Sequence, residues 1–341
     1  MTARCLVCLA DLRSEGESEY HPRCAKALFG STRVPTIDLE LARLHTVAQA
    51  MVGHTSLSGI QRKVSVGLTA DRATLRVAME KGHFILKPQA QVFPSLPENE
   101  HVTMRIAVAA GLQVAPSGLV RLHDGSLAYL TRRFDRSSAG GKLLQEDFCQ
   151  LSQLAPKQKY EGSAELCARL VRRYASEPLV AALSLFRQVV FAWWTGNGDM
   201  HLKNLSLLRG ADGLQRLSPA YDLLCTDRVV EDDQLALPVG GNRRAVTPRQ
   251  WLAFASYCGL TPKATARALG QVHAALTPSL DLVARSWLPD DMKTRYARLL
   301  EVRARTVEAA ARLKFRIEPR RIHLSIRVES GGRGAGVLAT R

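Results

Sequence analysis

The chain lacks the marks of several protein classes at once. Over its 341 residues no apolar run is both long and uninterrupted enough to cross a bilayer. Nor is there a secretory leader pattern, so the sequence predicts a soluble, cytoplasmic protein. Cysteines number seven, an odd set, with Cys149, Cys167, Cys225 and Cys258 scattered through apolar or helical stretches. That pattern fits reduced packing residues and implies no disulfide framework. Neither G-x-G-x-x-G nor the Walker A pattern occurs, so the two common phosphate-loop signatures are missing. No internal repeat is present. Acid is the charge in short supply, because 31 Asp and Glu against 47 Lys and Arg leave a net charge of +16. The excess gathers in Lys293-Thr294-Arg295, Arg303-Ala304-Arg305 and Lys314 to Arg321. Such a surface suits polyanions, acidic proteins or plain solvent, but it does not form the Arg/aromatic array that stacks bases.

What is present is an ordinary globular composition, 46% hydrophobic, in a chain long enough for one two-lobed domain or two close-packed ones. The most informative stretch is Asn197-Gly198-Asp199-Met200-His201-Leu202-Lys203-Asn204, with Tyr221-Asp222 downstream. Phosphoryl transfer needs a carboxylate to accept the attacking hydroxyl's proton and hard oxygen ligands to hold Mg²⁺ on the phosphates. Asp199 suits the first role, Asn204 and Asp222 the second. Asp199 and Asn204 have the spacing of D-x-x-x-x-N in a protein-kinase catalytic loop. Upstream, Leu179 to Trp194 is apolar around nearly its whole circumference, as in a buried helix, and reads as too short and too interrupted to span a bilayer. It ends at the breaker cluster Thr195-Gly196-Asn197-Gly198, which would deliver Asp199 to a cleft. Leu205 to Leu208 and Leu214 to Leu217 read as two strands around Gly213, so Asp222 is expected to emerge from a hairpin beside the loop.

The N-terminal stretch, residues 1–36, carries Cys5-x-x-Cys8 and His21-x-x-Cys24, two ligand pairs with the spacing of a closed, structural Zn²⁺ knuckle. A helix is expected over Leu39 to Val52, then strands over Val64 to Leu68, Thr74 to Ala78 and Phe84 to Leu86. A helix from Glu98 to Ala110 and strands near Leu119 to Leu122 and Ala128 to Thr131 complete a small α+β lobe, residues 37–136. Helices dominate residues 137–328, including a strong one over Met292 to Leu313. Residues 329–341 have the composition of a disordered basic tail.

A kinase also needs a lysine for the α- and β-phosphates. Lys87 ends the apolar strand Phe84-Ile85-Leu86, and the following helix offers Glu98 and Glu100 as partners. Gly53 to Gln61, rich in small and hydroxyl residues, is the candidate phosphate loop, its backbone N–H groups able to cradle phosphate.

Together these residues carry a family resemblance. Ser56-Leu57-Ser58-Gly59-x-Gln61-x-Lys63, Phe84-Ile85-Leu86-Lys87-Pro88, Pro97-Glu98-Asn99-Glu100, Arg133-Phe134-Asp135-Arg136, Gln145-Glu146-Asp147-Phe148-Cys149-Gln150, Gly198-Asp199-x-His201-x-Lys203-Asn204 and Pro219-x-Tyr221-Asp222 resemble the HipA-family toxin kinases, in the same order. The resemblance implies a two-lobed protein-kinase-like α+β fold. It also implies an ATP- and Mg²⁺-dependent serine/threonine kinase of a toxin–antitoxin system, acting on a translation protein such as an aminoacyl-tRNA synthetase. By it, Asp199 is the catalytic base, Asn204 and Asp222 hold Mg²⁺, and Lys87 meets the phosphates. Arg132 and Phe134 line the adenine pocket, and His201 belongs to the nucleotide-binding set with Ser56, Ser58 and Gly59. Ser56 and Ser58 are both candidates for autophosphorylation, which would place a dianion where ATP phosphates must sit. Only about fifty residues precede the loop, as in the shorter HipT-like toxins. The implied partners are a helix-turn-helix HipB-like antitoxin, a small HipS-like protein, or both, with DNA reached through the antitoxin.

Two other functions compete. Gly198-Asp199-Met200-His201 also fits aminoglycoside-type phosphotransferases, and the basic charge with a zinc knuckle fits a non-catalytic nucleic-acid-binding protein. The Ser-rich loop and the Arg133 to Arg136 block favour the toxin kinase, and the intact Asp199, Asn204 and Asp222 disfavour a non-catalytic role.

Overall fold

The computed structural model describes residues 3–12, 18–37, 39, 41, 44, 63–78, 82–90, 93–137, 141–228 and 233–313. The helix expected over Leu39 to Val52 falls almost wholly outside them, as do the loop holding Ser56, Ser58 and Gly59, the basic run from Lys314, and the tail.

Alternating apolar residues build the smaller lobe. β1 (Thr36–Ile37), β2 (Val64–Leu68), β3 (Thr74–Val77), β4 (Phe84–Pro88), β5 (Ser117–Arg121) and β6 (Leu127–Arg132) form one sheet in the order β1-β3-β2-β4-β6-β5. Its ladders are antiparallel except that between β1 and β3. Val64, Val66, Leu75, Phe84, Leu86, Leu119 and Leu130 point into the core, the β-branched and aliphatic residues that suit a pleated, covered face. The N-terminal helix α1 (Pro22–Phe29) buries Leu28 and Phe29, and α2 (Leu96–Ala109), begun at Pro97, packs on β5 and β6.

The larger lobe is helical. It comprises α3 (Phe148–Leu151), α4 (Ala164–Tyr174), α5 (Pro178–Thr195), α6 (Pro248–Tyr257), α7 (Pro262–Ala274), α8 (Leu276–Arg285) and α9 (Asp290–Arg312). A three-stranded sheet of β7 (Gln145–Asp147), β8 (Ser206–Arg209) and β9 (Gln215–Leu217) lies at its edge. Side-chain caps start several helices: Asp147, Ser163, Thr247 and Thr261 each accept a first-turn N–H, satisfying donors that the helix itself leaves unpaired. At its centre stands α5, whose 18 residues reach the length of a bilayer span. Length therefore does not exclude a span, contrary to the sequence reading. What places α5 inside the protein is packing, with Leu185, Phe186, Val189, Phe191 and Trp194 all buried. Trp193, Phe186, Trp251 and Phe254 form an edge-to-face and tilted aromatic cluster between α5 and α6, with centroids 5.6 to 6.4 Å apart. The helix stops at Gly196, which takes the left-handed conformation (φ 71) and donates its N–H back to the last turn.

Phe186 has no solvent exposure, and its removal leaves a cavity beside two other rings. Phe186→Ala should cost about 3–5 kcal/mol of stability, read as a lowered urea midpoint. A loss below about 1 kcal/mol would show that the cluster is not part of the core.

Candidate active site

Strand register creates the first feature of the cleft. β2 runs against β4 with Val66 opposite Phe84 and Val64 opposite Leu86, so the next step sets Lys63 opposite Lys87. On its other side Lys87 pairs with Tyr129 of β6, its Nζ 5.6 Å from the ring centroid. Like charges opposed across a ladder repel unless an anion lies between them. Asp222 is that anion: Oδ2 accepts from Lys63 Nζ at 2.8 Å and Oδ1 from Lys87 Nζ at 2.5 Å. From α2, Glu100 grips the same Lys87 ammonium with both oxygens, at 2.6 and 2.7 Å. Of the two acids expected as partners, Glu100 is therefore the one in contact. Glu98 Oε2 is buried with no hydrogen-bond partner among the described residues.

Burial works against every member of this cluster. It would lower Lys87, yet the charges of Asp222 and Glu100 hold the ammonium above its ordinary range. It would raise Asp222, yet Lys63 and Lys87 hold that carboxyl well below the usual carboxylate range. Only at Glu100 does burial win, pushing the carboxyl up to about 7, with the Asp222 charge adding to it.

Asp222 is itself held by its neighbours. It sits in the left-handed region, φ 60, a conformation that an aspartate adopts only when its surroundings enforce it. On one side Asn99 of α2 donates to the Cys225 carbonyl at 3.0 Å and accepts the Cys225 N–H at 2.8 Å. On the other, Tyr221 donates to the Lys203 carbonyl at 2.9 Å and lies 2.5 Å from Ser206 Oγ, which accepts from Gln145 at 3.0 Å. The hairpin of β8 and β9 thus delivers Asp222 beside the segment from Asn197 to Asn204.

In that segment Asn197 Oδ1 accepts the Asp199 N–H at 3.0 Å, and Asn204 Nδ2 donates to the Asp199 carbonyl at 2.8 Å. Gly198 has no room for a side chain, because a Cβ there would overlap the Asp233 carboxylate. Its N–H donates to Thr226 Oγ1, 2.5 Å away. Asp199 Oδ1 accepts from Tyr160 at 2.8 Å. Burial raises the Asp199 carboxyl above its ordinary value; the Tyr160 hydrogen bond opposes this and the Asp222 charge reinforces it. His201 is buried beneath, edge-on to Tyr160 with centroids 5.2 Å apart. Burial, with the nearby Lys159 charge, lowers it to about 3, so the imidazole is neutral, and neither ring nitrogen has a hydrogen-bond partner among the described residues. Lys203 is turned away from Asp199 onto Asp147, at 2.6 Å.

The remaining wall of the cleft follows β6. Asp135 clamps Arg133 and Arg136, at 2.7 Å each, and so presents Phe134 to Tyr221, with ring centroids 5.3 Å apart. Arg132, Phe134, Tyr129, Ile85, Lys63, Lys87 and Asp222 are among the residues lining a cavity of about 240 Å³. Tyr160, Lys63 and Asn99 had no role in the sequence reading. Their partners lie far along the chain; Lys63 and Asn99 stood inside the motif blocks quoted above without an assigned role, and Tyr160 outside all of them.

Away from the cleft, the four N-terminal ligands converge, with the ligating atoms of Cys5, Cys8, His21 and Cys24 all within 4.8 Å of one another.

Comparison with known proteins gives the family and the fold. Residues 55–280 match the HipA-like C-terminal domain, and the chain belongs to that family. The putative kinase Y4mE of Sinorhizobium fredii is 38% identical over 179 residues, 50% of this chain and 42% of the relative. The serine/threonine-protein kinase toxin HipA of Shewanella oneidensis is 26% identical over 205 residues, 54% of this chain and 46% of that protein. The chain therefore spans about half the length of the curated relatives it matches. The solved complex of Shewanella oneidensis HipA and HipB with operator DNA contains a chain that superposes with a TM-score of 0.64 at 22% identity, covering 76% of this chain and 68% of that one. The fold is thus the two-lobed, kinase-like α+β fold of HipA.

A pH dependence follows from Glu100. Its folded value of about 7 lies above the ordinary 4.5, so the stability this group contributes is fully present below about pH 4.5 and is lost as pH rises toward 7. The thermal stability of the wild type relative to Glu100→Gln should fall across that window and then level off. A difference that rises with pH would mean that the Lys87 pairing outweighs burial.

Proposed function

We propose that this chain is an ATP- and Mg²⁺-dependent serine/threonine protein kinase, the toxin of a toxin–antitoxin system. The observation that carries the proposal is the convergence of Lys63, Lys87, Glu100 and Asp222 within reach of the Asp199 carboxylate: a lysine paired to a helix glutamate, a second carboxylate, and a half-buried base. The donor set fits the cofactor. A carboxylate that already holds two cations, with Asn204, whose amide donates to the Asp199 carbonyl, as the second oxygen donor, is a hard-oxygen set of the kind Mg²⁺ takes. When bound, Mg²⁺ and ATP would supply the phosphoryl group and neutralise its charge.

The chain's own residues supply the rest. Asp199, desolvated and anchored through one oxygen by Tyr160, keeps its other oxygen to accept the proton of a substrate hydroxyl, and its raised pKa makes it a better base than an exposed aspartate. Lys87, fixed by Glu100, is directed at the phosphates. Lys63, whose side chain is 38% exposed against 4% for Lys87, is the ammonium able to swing off Asp222 and leave an oxygen for metal. Neutral His201 packs under the base rather than exchanging protons. Arg132 and Phe134 form the adenine side. Ser56 or Ser58 receives phosphate in self-regulation, the protein substrate belongs to translation, and the protein works in the cytoplasm. An antitoxin of HipB-like or HipS-like kind restrains it; the family precedent is the HipA and HipB complex on DNA.

Phosphatase-treated protein incubated with ATP and Mg²⁺ should gain phosphate on Ser56 or Ser58, seen by mass spectrometry. Asp199→Asn should slow that transfer about 10²–10⁴-fold. Transfer at an undiminished rate in the variant, or none in the wild type, would refute the reading.

A further inference from the structure

The N-terminal cysteines and histidine sit on a framework that reaches the cleft. Cys5 and Cys8 occupy a tight turn closed by the Leu9 N–H on the Cys5 carbonyl, 3.0 Å. His21 and Cys24 flank the start of α1, where the helix dipole favours a thiolate. Cys8 Sγ lies 3.3 Å from His21 Nδ1. A tetrahedral ion with metal–sulfur bonds of about 2.3 Å holds its ligands about 3.7 Å apart, so the four atoms need only small side-chain shifts to close on one. His21 Nε2 donates to the Asp11 carbonyl at 3.1 Å. This leaves the Nδ1 lone pair facing the thiols, the outer-shell arrangement typical of a metal-bound histidine. All three cysteines are free thiols, and a set of three sulfurs and one imidazole selects Zn²⁺ over hard cations.

The turn is seated on the smaller lobe. Leu119 donates to the Leu6 carbonyl at 2.8 Å, and Tyr20 donates to the Leu119 carbonyl at 2.9 Å. Gly118 permits this approach, since a Cβ there would stand 2.7 Å from Val7 Cγ2. Within the gap between Cys5 and Cys8, the Val7 carbonyl accepts from His101 Nε2 at 2.9 Å. His101 follows Glu100 on α2, and consecutive helical side chains diverge by roughly 100°. One residue therefore reaches the N-terminal turn while its neighbour grips Lys87.

We propose that Cys5, Cys8, His21 and Cys24 bind one structural Zn²⁺, and that this ion fixes the Val7 carbonyl against His101 and so holds α2 where Glu100 meets Lys87. Without the ion the turn keeps its backbone hydrogen bonds to the sheet but loses the closure among Cys5, Cys8, His21 and Cys24, and any shift of Val7 then deprives the buried His101 of its acceptor, a costly loss in a site closed to water.

Metal analysis and amide hydrogen exchange test both parts without nucleotide, so the proposal fails or survives apart from the kinase reading. The wild type should hold about one zinc per chain, His21→Cys should retain it, and Cys8→Ser with Cys24→Ser should lose it. Zinc-free protein should exchange at least about tenfold faster over Leu96–Ala109 while Pro262–Ala274 is unchanged. If the double variant does not fold, chelator-stripped wild type provides the zinc-free state. Wild type that holds no zinc after reconstitution with Zn²⁺ under reducing conditions would overturn the site. Equal exchange over α2 with and without zinc would overturn the coupling.

Discussion

Two ammonium groups forced side by side by strand register are the constraint on which the cleft depends. The ladder between β2 and β4 brings Lys63, just before β2, next to Lys87, and a buried cation such as Lys87 beside a second one is tolerable only with anions in contact. Asp222 and Glu100 meet that demand from opposite directions, one from the larger lobe and one from α2. The pair from Asp222 to Lys63 and Lys87 thus spans the two lobes beside the cavity. An arrangement that concentrates two cations and two carboxylates in a partly closed cleft gains little stability for its complexity. On the proposed function, its use is in binding a nucleotide and its metal.

Helix α2 distributes this constraint through the molecule. Four of its consecutive or near-consecutive polar residues are buried, and each holds a different part: Asn99 the segment after Asp222, Glu100 the strand β4, His101 the N-terminal turn, Thr103 the Tyr296 hydroxyl of α9 at 2.9 Å. A helix tied at four points moves only if those ties move with it. A displacement at any one of them is therefore felt at Lys87. This makes α2 the natural place for a partner or a metal to act on the Lys87 side of the cleft.

Much of this was legible in the sequence where local pattern and tertiary role agree. The strand over Val64 to Leu68, the central apolar helix, the hairpin before Asp222 and the long terminal helix all follow from periodicity and breakers, because burial on one face imposes that periodicity. The Lys87 and Glu100 pair was half legible, since Glu98 offered the same charge two residues earlier and only helix phase chooses between them. Contacts across long separations were not legible. Lys63 and Asp222 stand 159 residues apart, and Tyr160 reaches Asp199 from a turn that carries no motif. The polar residues of α2 likewise look like solvent-facing positions until the other elements cover them. At α5 the buried helix read from the sequence is the one observed, but on the ground of packing, since its residue count would also suit a membrane span.

The central claim is that Asp222 changes partners, from lysine ammoniums to the metal of a nucleotide. Calorimetric titration of wild type and Asp222→Asn with a non-hydrolysable ATP analogue, with and without Mg²⁺, tests it most directly. The account predicts binding by the wild type that strengthens at least about tenfold with Mg²⁺, and loss of that metal dependence in the variant. Equal, metal-independent affinity in both proteins would contradict it.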